Sequence, residues 1–429
     1  MKLAVAGLWH LGSVTAACAA AAGVPTIAID PDARRIAGLA RGEPPLYEPG
    51  LAELIRSGLA SKTLSFSADV AQVADADVVW IAYDTPVDED DNADVDYVLR
   101  QVDALFAHLQ DGAVVLVSSQ LPVGSMARLE QAFAPQARGR TVSFACSPEN
   151  LRLGNAIAAF QDPGRMIVGI RDERTRSVLE PLLSKFCTRL IWMSVESAEM
   201  VKHAINGFLA LSVTFANELG TICERVGANA SEVETGMRSE PRIGQKAYLR
   251  AGAAFAGGTL ARDVSFLSAI ARRNAVAVPV VDAIGESNRA HSAWALNTLR
   301  RLLGNLSGRT IAVLGLAYKP GTDTLRRSSS LALIGDLLRE GAHVTVFDPK
   351  VRALPSEYAG VTVAADAALA AAGAQAIVIA TEWPEFRNLT ADDLAGAMAR
   401  KLVLDPSRFL DPSVAADQRL SLVSVGRVT

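Results

Sequence analysis

The chain has 429 residues, too many for one ordinary core, so two or three domains are expected. Half of the residues are hydrophobic, which makes it globular, and a net charge of -4 gives no reason to expect nucleic acid. Cys18, Cys146, Cys187 and Cys223 form no CxxC and lie far apart, so no metal site is expected and a reduced, cytoplasmic compartment fits; no apolar run is long enough for a membrane span.

The first thirty residues carry the strongest pattern. Lys2-Leu-Ala-Val-Ala6 is an apolar run of strand length, Gly7 punctuates it, Leu11 to Ala22 is alanine-rich and helix-prone, and Thr26 to Ile29 is a second strand ending at Asp30. Strand, glycine turn, helix, strand and acid are the parts of a mononucleotide-binding βαβ unit. Gly7, Trp9, His10, Leu11, Gly12 and Asp30 are therefore expected to hold a dinucleotide. Asp30 favours NAD over NADP, because a carboxylate repels a 2'-phosphate. The loop departs from GxGxxG at Trp9, where backbone normally nears the pyrophosphate, and the ring should crowd that approach unless it turns outward. A doubly wound domain with a weakened cofactor grip is the alternative. Thr15-Ala-Ala-Cys18 loosely resembles a lipoprotein cleavage box, but strand and acid follow in register, as in a folded βαβ unit.

Further strands are expected at Val78 to Ala82, Ala113 to Val117, Val142 to Ala145 and Met166 to Gly169, alternating with helical sequence, which predicts a mostly parallel sheet covered on both faces. Ser197 to Val226 reads as one long helix, with Met200, Ala204, Phe208, Leu211, Phe215 and Leu219 at helical spacing, and more helix follows through Leu303. Its apolar face suits either a dimer contact or an intrachain core. At Thr310 the opening theme returns: Ile311-Ala-Val-Leu-Gly315 and Val344-Thr-Val-Phe-Asp348 repeat the first strand and glycine and the second strand and acid. The fold class is thus α/β, two Rossmann-like doubly wound domains joined by a helical region, with boundaries at 1–195, 196–301 and 302–429.

Several segments together carry a resemblance spanning almost the whole chain: Leu46-Tyr-Glu-Pro-Gly-Leu51, Leu121-Pro-Val-Gly124, Ser147-Pro-Glu-Asn-Leu-Arg-Leu-Gly154, Ala198-Glu-Met-Val-Lys-His-Ala-Ile-Asn206, Arg242-Ile-Gly244 and Gly315-Leu-Ala-Tyr-Lys-Pro-Gly-Thr-Asp323. The sequence resembles the UDP-glucose/GDP-mannose dehydrogenase family of NAD-dependent nucleotide-sugar dehydrogenases. The resemblance implies an N-terminal NAD domain, a central dimerisation region, a C-terminal domain gripping the nucleotide-sugar, and a place in polysaccharide biosynthesis. Family members oxidise the sugar C6 alcohol twice and hold the aldehyde as a thiohemiacetal on a cysteine.

Carried over by position, the resemblance assigns Lys202 and Asn206 to polarising the sugar oxygen, Asp263 to proton or water positioning and Glu149 to base work. Ala256-Gly-Gly-Thr-Leu-Ala-Arg-Asp263 puts Thr259 where the cysteine should be, and a hydroxyl is far less acidic than a thiol. Ser119-Gln-Leu-Pro puts Gln120 at a threonine linked to the catalytic water. Thr85 and Pro86 match a cofactor-side segment in which Asp84 replaces glycine. Glu149, Leu151, Lys202 and Asn206 are implied on the sugar side. There Arg242 and Lys319 meet the diphosphate, and Tyr248, Phe255 and Gly257 pack around uridine and sugar, although a core role suits Tyr248 and Phe255 equally. Arg408 lies one place later than a family arginine. Three functions stay open: a dehydrogenase making acid or only aldehyde, a nucleotide-sugar-binding protein without turnover, and a transient-oxidation epimerase.

Overall fold

The computed structural model describes residues 1–429 except 87, 89–92, 149–150, 152–153, 257 and 428–429. The chain divides into two compact units, Met1–Ala204 and Ile205–Thr429.

The first unit is built on eight strands: β1 (Leu3–Ala6), β2 (Thr26–Ile29), β3 (Leu64–Ser67), β4 (Val78–Ile81), β5 (Val114–Val117), β6 (Ser143–Cys146), β7 (Met166–Ile170) and β8 (Leu190–Ser194), in the order β3-β2-β1-β4-β5-β6-β7-β8. Every residue of β1, β4 and β5 is buried, as an apolar run in a sheet covered on both faces requires. The period of two splits each strand between two cores. Leu3, Val5, Val78 and Trp80 pack into one, while Ala4, Ala6, Val79 and Ile81 pack into the other. The strands are parallel except at β6 and β7, which meet antiparallel at Cys146 and Gly169. Strand order reverses between β1 and β4, so the crevice beyond their carboxyl ends is the switch point where ligands bind in such sheets.

The helix Val195–Val226 leaves β8 directly and runs on into the second unit. In the single chain, the side carrying Phe208, Phe215 and Ile222 stays exposed, whereas Ala210, Ala216 and Cys223 are buried. No helix among the described residues is long and apolar enough to cross a membrane.

The second unit contains β9 (Thr310–Leu314), β10 (His343–Phe347), β11 (Thr362–Val363), β12 (Ala376–Ile379), β13 (Leu402–Leu404) and β14 (Ser421–Val423), all parallel, in the order β11-β10-β9-β12-β13-β14. The internal repeat is physical. Gly7 and Gly315 both turn the chain at positive φ, 91° and 93°, where a side chain would be strained. In each copy the acid ending the second strand accepts from the amide after that glycine: Leu8 N to Asp30 at 2.7 Å, and Leu316 N to Asp348 at 2.6 Å.

The copies then diverge. Asp348 also accepts from the amides of Ala317, Lys350 and Val351 and from the Trp383 indole, five donors on one buried carboxylate. Burial alone would raise its pKa, but those bonds outweigh burial and hold it below the ordinary 3.8. Replacing Asp348 with Asn turns an amide group against these donors and is expected to cost about 3 kcal/mol of stability by denaturant titration. Because the folded pKa is depressed, the carboxylate's contribution is complete above pH 3.8 and disappears as pH falls through the folded value, so the deficit of the variant should shrink in acid.

Candidate functional site

The crevice of the first unit is shaped by what glycine permits. A β-carbon on Gly12 would fall 1.7 Å from the Gly7 carbonyl oxygen, so only glycine lets the helix His10–Ala21 approach β1 this closely. The helix start points unpaired amides at the crevice, the arrangement that holds a diphosphate. Trp9 caps the helix at φ -77° and ψ -139°, and its negative φ does not call for glycine. Its ring turns outward, 39 % exposed, with the Arg35 guanidinium 5.2 Å from the ring centroid. Beside it, Asp30 is buried and accepts from Asp32 N at 2.9 Å and Arg35 Nη1 at 2.6 Å as well as from Leu8 N. Three donors leave this carboxylate acceptor capacity for a ribose hydroxyl, which five donors deny Asp348. The ring of Tyr83 packs on Gly7, and its buried hydroxyl has no hydrogen-bond partner among the described residues, with burial raising its pKa. Close-approach glycines, an acid with spare capacity and an unsatisfied hydroxyl fit a dinucleotide.

The other cofactor-side residues lie in the same unit. Leu11 and Thr85 are buried, Pro86 and Asp84 are exposed, and Thr85 Oγ1 donates to the Gln120 carbonyl at 2.7 Å. His10 Nε2 meets Glu48 Oε2 at 2.9 Å.

On the helix Val195–Val226, Lys202 and Asn206 are four residues apart and share a side. Lys202 is half-buried and lines a cavity of about 20 Å³, large enough for one water, with Ser119, Gln120, Cys146 and Glu199. Burial pushes the Glu199 carboxyl above the usual carboxylate range, against hydrogen bonds from the amides of Gly124 and Met126. In the second unit, Asn206 Nδ2 donates to Asp263 Oδ2, both side chains being buried. Thr259, exposed, opens the helix Thr259–Arg273 one turn before Asp263. All four cysteines are free and buried, and none lies in the Thr259 segment; burial pushes the Cys18 thiol up to about 12 and the Cys146 thiol higher still, which leaves both inert.

Among the sugar-side candidates, Leu151 is half-buried against the core of the first unit. Phe255 packs on Ala210, Val264 and Ile284, and its backbone is pinned by Asn288 on both N–H and C=O. Tyr248 and Arg242 stand exposed, Arg242 on Glu240 at 2.8 Å. Lys319 Nζ lies 5.5 Å from the Tyr318 ring centroid. Arg408 is held by Glu234 at 3.1 Å and the Ala251 carbonyl. Glu149 and Gly257 lie outside the described residues. Among the described residues, no cluster of metal-ligating side chains is present.

Sequence reasoning passed over Arg35, Glu48 and Glu199 as functional residues. Arg35 could have been noticed five places after the strand-ending acid. Glu48 and Glu199 stood inside motifs already quoted, but no local signal marks a carboxylate whose partners are distant in sequence.

Residues 1–187 match the NAD-binding domain of the UDP-glucose/GDP-mannose dehydrogenase family, 196–290 its central domain and 312–412 its UDP-binding domain. The chain is 34 % identical over its whole length to UDP-glucose 6-dehydrogenase of Pseudomonas aeruginosa, covering 98 % of that protein, and 34 % identical to the enzyme of the same name from Rhizobium meliloti, covering 100 % of both. The solved UDP-glucose dehydrogenase of Pyrobaculum islandicum superposes with a TM-score of 0.87 at 31 % identity, covering 100 % of this chain and 98 % of that one. The UDP-D-ManNAc dehydrogenase of Pyrococcus horikoshii, at 24 % identity and TM-score 0.85 over 100 % and 99 %, shares the fold.

Calorimetric titration tests the geometry of the crevice. Asp30→Asn, which keeps an oxygen for the Leu8 amide but removes the charge, should weaken NAD binding about tenfold. Trp9→Gly should change the NAD dissociation constant by less than about threefold, because the ring is exposed against Arg35 and the position has a negative φ that does not call for glycine.

Proposed function

The chain belongs to the UDP-glucose/GDP-mannose dehydrogenase family, and from that premise we propose that it oxidises the C6 alcohol of a UDP-hexose, UDP-glucose in the first instance, with NAD as cofactor. The observation that carries the reading is the buried hydrogen bond from Asn206 to Asp263, one helical turn beyond the threonine that stands in the cysteine's position. That bond holds the Asn206 amide and the Asp263 carboxylate in fixed orientation, as a site that must stabilise a developing oxyanion requires. The three-part division at 195 and 301 belongs to the same reading, supported by the three matched family segments.

NAD, when bound, supplies the acceptor for the hydride leaving C6. Gly7, Trp9, His10, Leu11 and Gly12 would hold its diphosphate and Asp30 its ribose, with Thr85, Pro86 and Gln120 as further cofactor-side residues. The Lys202 ammonium and Asn206 amide stabilise negative charge on the sugar oxygen as its proton departs to water oriented by Asp263. On the substrate side, Lys319 and Arg242 supply positive charge for the diphosphate, while Leu151, Tyr248, Phe255 and Gly257 pack around sugar and uridine. The chemistry so far needs no sulfur. Acid formation does need a second hydride, and without a thiol it starts from the aldehyde hydrate, formed by adding water to the carbonyl with Glu149 as base; Thr259 fills the cysteine's space. The product is therefore aldehyde, with acid formed slowly through the hydrate. The free cysteines support a cytoplasmic setting, and the uronic acid suits polysaccharide biosynthesis.

A homodimer is part of the proposal. Phe208, Phe215 and Ile222 recur every seven residues on one helix and are 67 %, 49 % and 56 % exposed, an apolar stripe that a two-fold partner helix would cover.

Incubation with NAD and UDP-glucose should give NADH and, by mass spectrometry, a product lighter by two hydrogens. Lys202→Ala should lower kcat about 100-fold. Thr259→Cys should raise the proportion of uronic acid. Binding of both ligands without any NADH would overturn the reading, and unchanged acid output in Thr259→Cys would overturn the role given to the missing thiol. Phe208→Glu combined with Phe215→Glu should convert a dimer to monomer in sedimentation.

A further inference from the structure

Tyr47 and Glu48 are neighbours in sequence and opposites in environment. Tyr47 is 84 % exposed, whereas Glu48 is 3 % exposed and turned inward. Its carboxylate takes three hydrogen bonds from two distant parts of the first unit: His10 Nε2 at 2.9 Å, Gly154 N at 2.8 Å and Ala156 N at 2.8 Å. Burial opposes its ionisation, and these three bonds together outweigh burial.

Each partner occupies a particular place. His10 is the first residue of the helix whose start cradles the cofactor diphosphate. Gly154 closes the segment that contains Leu151, and Ala156 begins the short helix Ala156–Gln161, which packs on the cofactor helix through the shared core of Leu11, Val14, Ala156 and Phe160. An apolar side chain would fill this space without the cost of a buried charge, so the carboxylate is not there for bulk. What it provides is a join: one rigid acceptor to which the cofactor helix and the 154–156 turn are both fastened.

We propose that Glu48 is a positioning residue that transmits cofactor seating, through His10, to the 154–156 turn that opens the helix Ala156–Gln161. A dinucleotide against the helix start restrains the His10 ring. The ring restrains the Glu48 carboxylate, and the carboxylate restrains the two amides. The inference rests on the NAD site and not on the identity of the sugar.

Amide hydrogen exchange of Gly154 and Ala156, read by mass spectrometry on peptides spanning 147–161, reports directly on the two bonds. Saturating NAD alone should slow exchange of these amides about tenfold in the unmodified protein. In His10→Ala, with NAD saturation checked by calorimetry, the slowing should vanish. In His10→Gln, whose side-chain amide can still donate to Glu48, it should return. A purely structural carboxylate would give the same exchange with and without NAD. Absence of slowing in the unmodified protein, its persistence in His10→Ala, or its failure to return in His10→Gln each overturns the proposal. Failure to turn over UDP-glucose would leave this readout untouched.

Discussion

The structure depends on a buried carboxylate holding a glycine turn. In each sheet, the first strand ends at a turn whose positive φ suits glycine, and the amide that follows would be left unpaired inside the protein. An aspartate at the end of the neighbouring strand accepts it, Asp30 from Leu8 and Asp348 from Leu316. Without that acceptor the turn would expose a buried donor, and the helix after it could not be aimed across the end of the sheet. The crevice at each switch point follows from this contact.

The same device serves two purposes because the number of donors differs. Asp348 is closed by five, including the Trp383 indole, and its turn has become purely architectural. Asp30 has three, one of them the guanidinium of an arginine that also lies against Trp9. A duplicated strand–turn–strand has thus been specialised by filling one acid's valence and leaving the other's partly open. The unit that matches the family's UDP-binding domain therefore does not keep this acid open for a further donor.

Chemistry is separated from this scaffold. Asn206 and Asp263 are buried partners 57 residues apart, and Thr259 opens the helix on which Asp263 sits. That single buried bond ties the helix Val195–Val226 to the helix Thr259–Arg273.

Much of this was legible in the order of residues alone. Strand-length apolar runs, the glycine and acid that punctuate them and their recurrence after residue 310 determine two doubly wound sheets, because side-chain period and turn chemistry are local properties. What needed tertiary structure was everything depending on partners far apart in the chain. The reversal of direction between β6 and β7 rests on one antiparallel pair, and the exposed edge strand Thr362–Val363 is too short to leave a periodic signature. Trp9 looked obstructive in sequence, and only the tertiary structure shows its ring exposed beside the Arg35 guanidinium. Glu48 reads as an unremarkable acid until the fold brings His10, 38 residues before it, and Gly154, 106 residues after it, within hydrogen-bonding distance. Local sequence sets which elements form, whereas the valence of a buried polar group is filled by whatever the folded chain delivers to it.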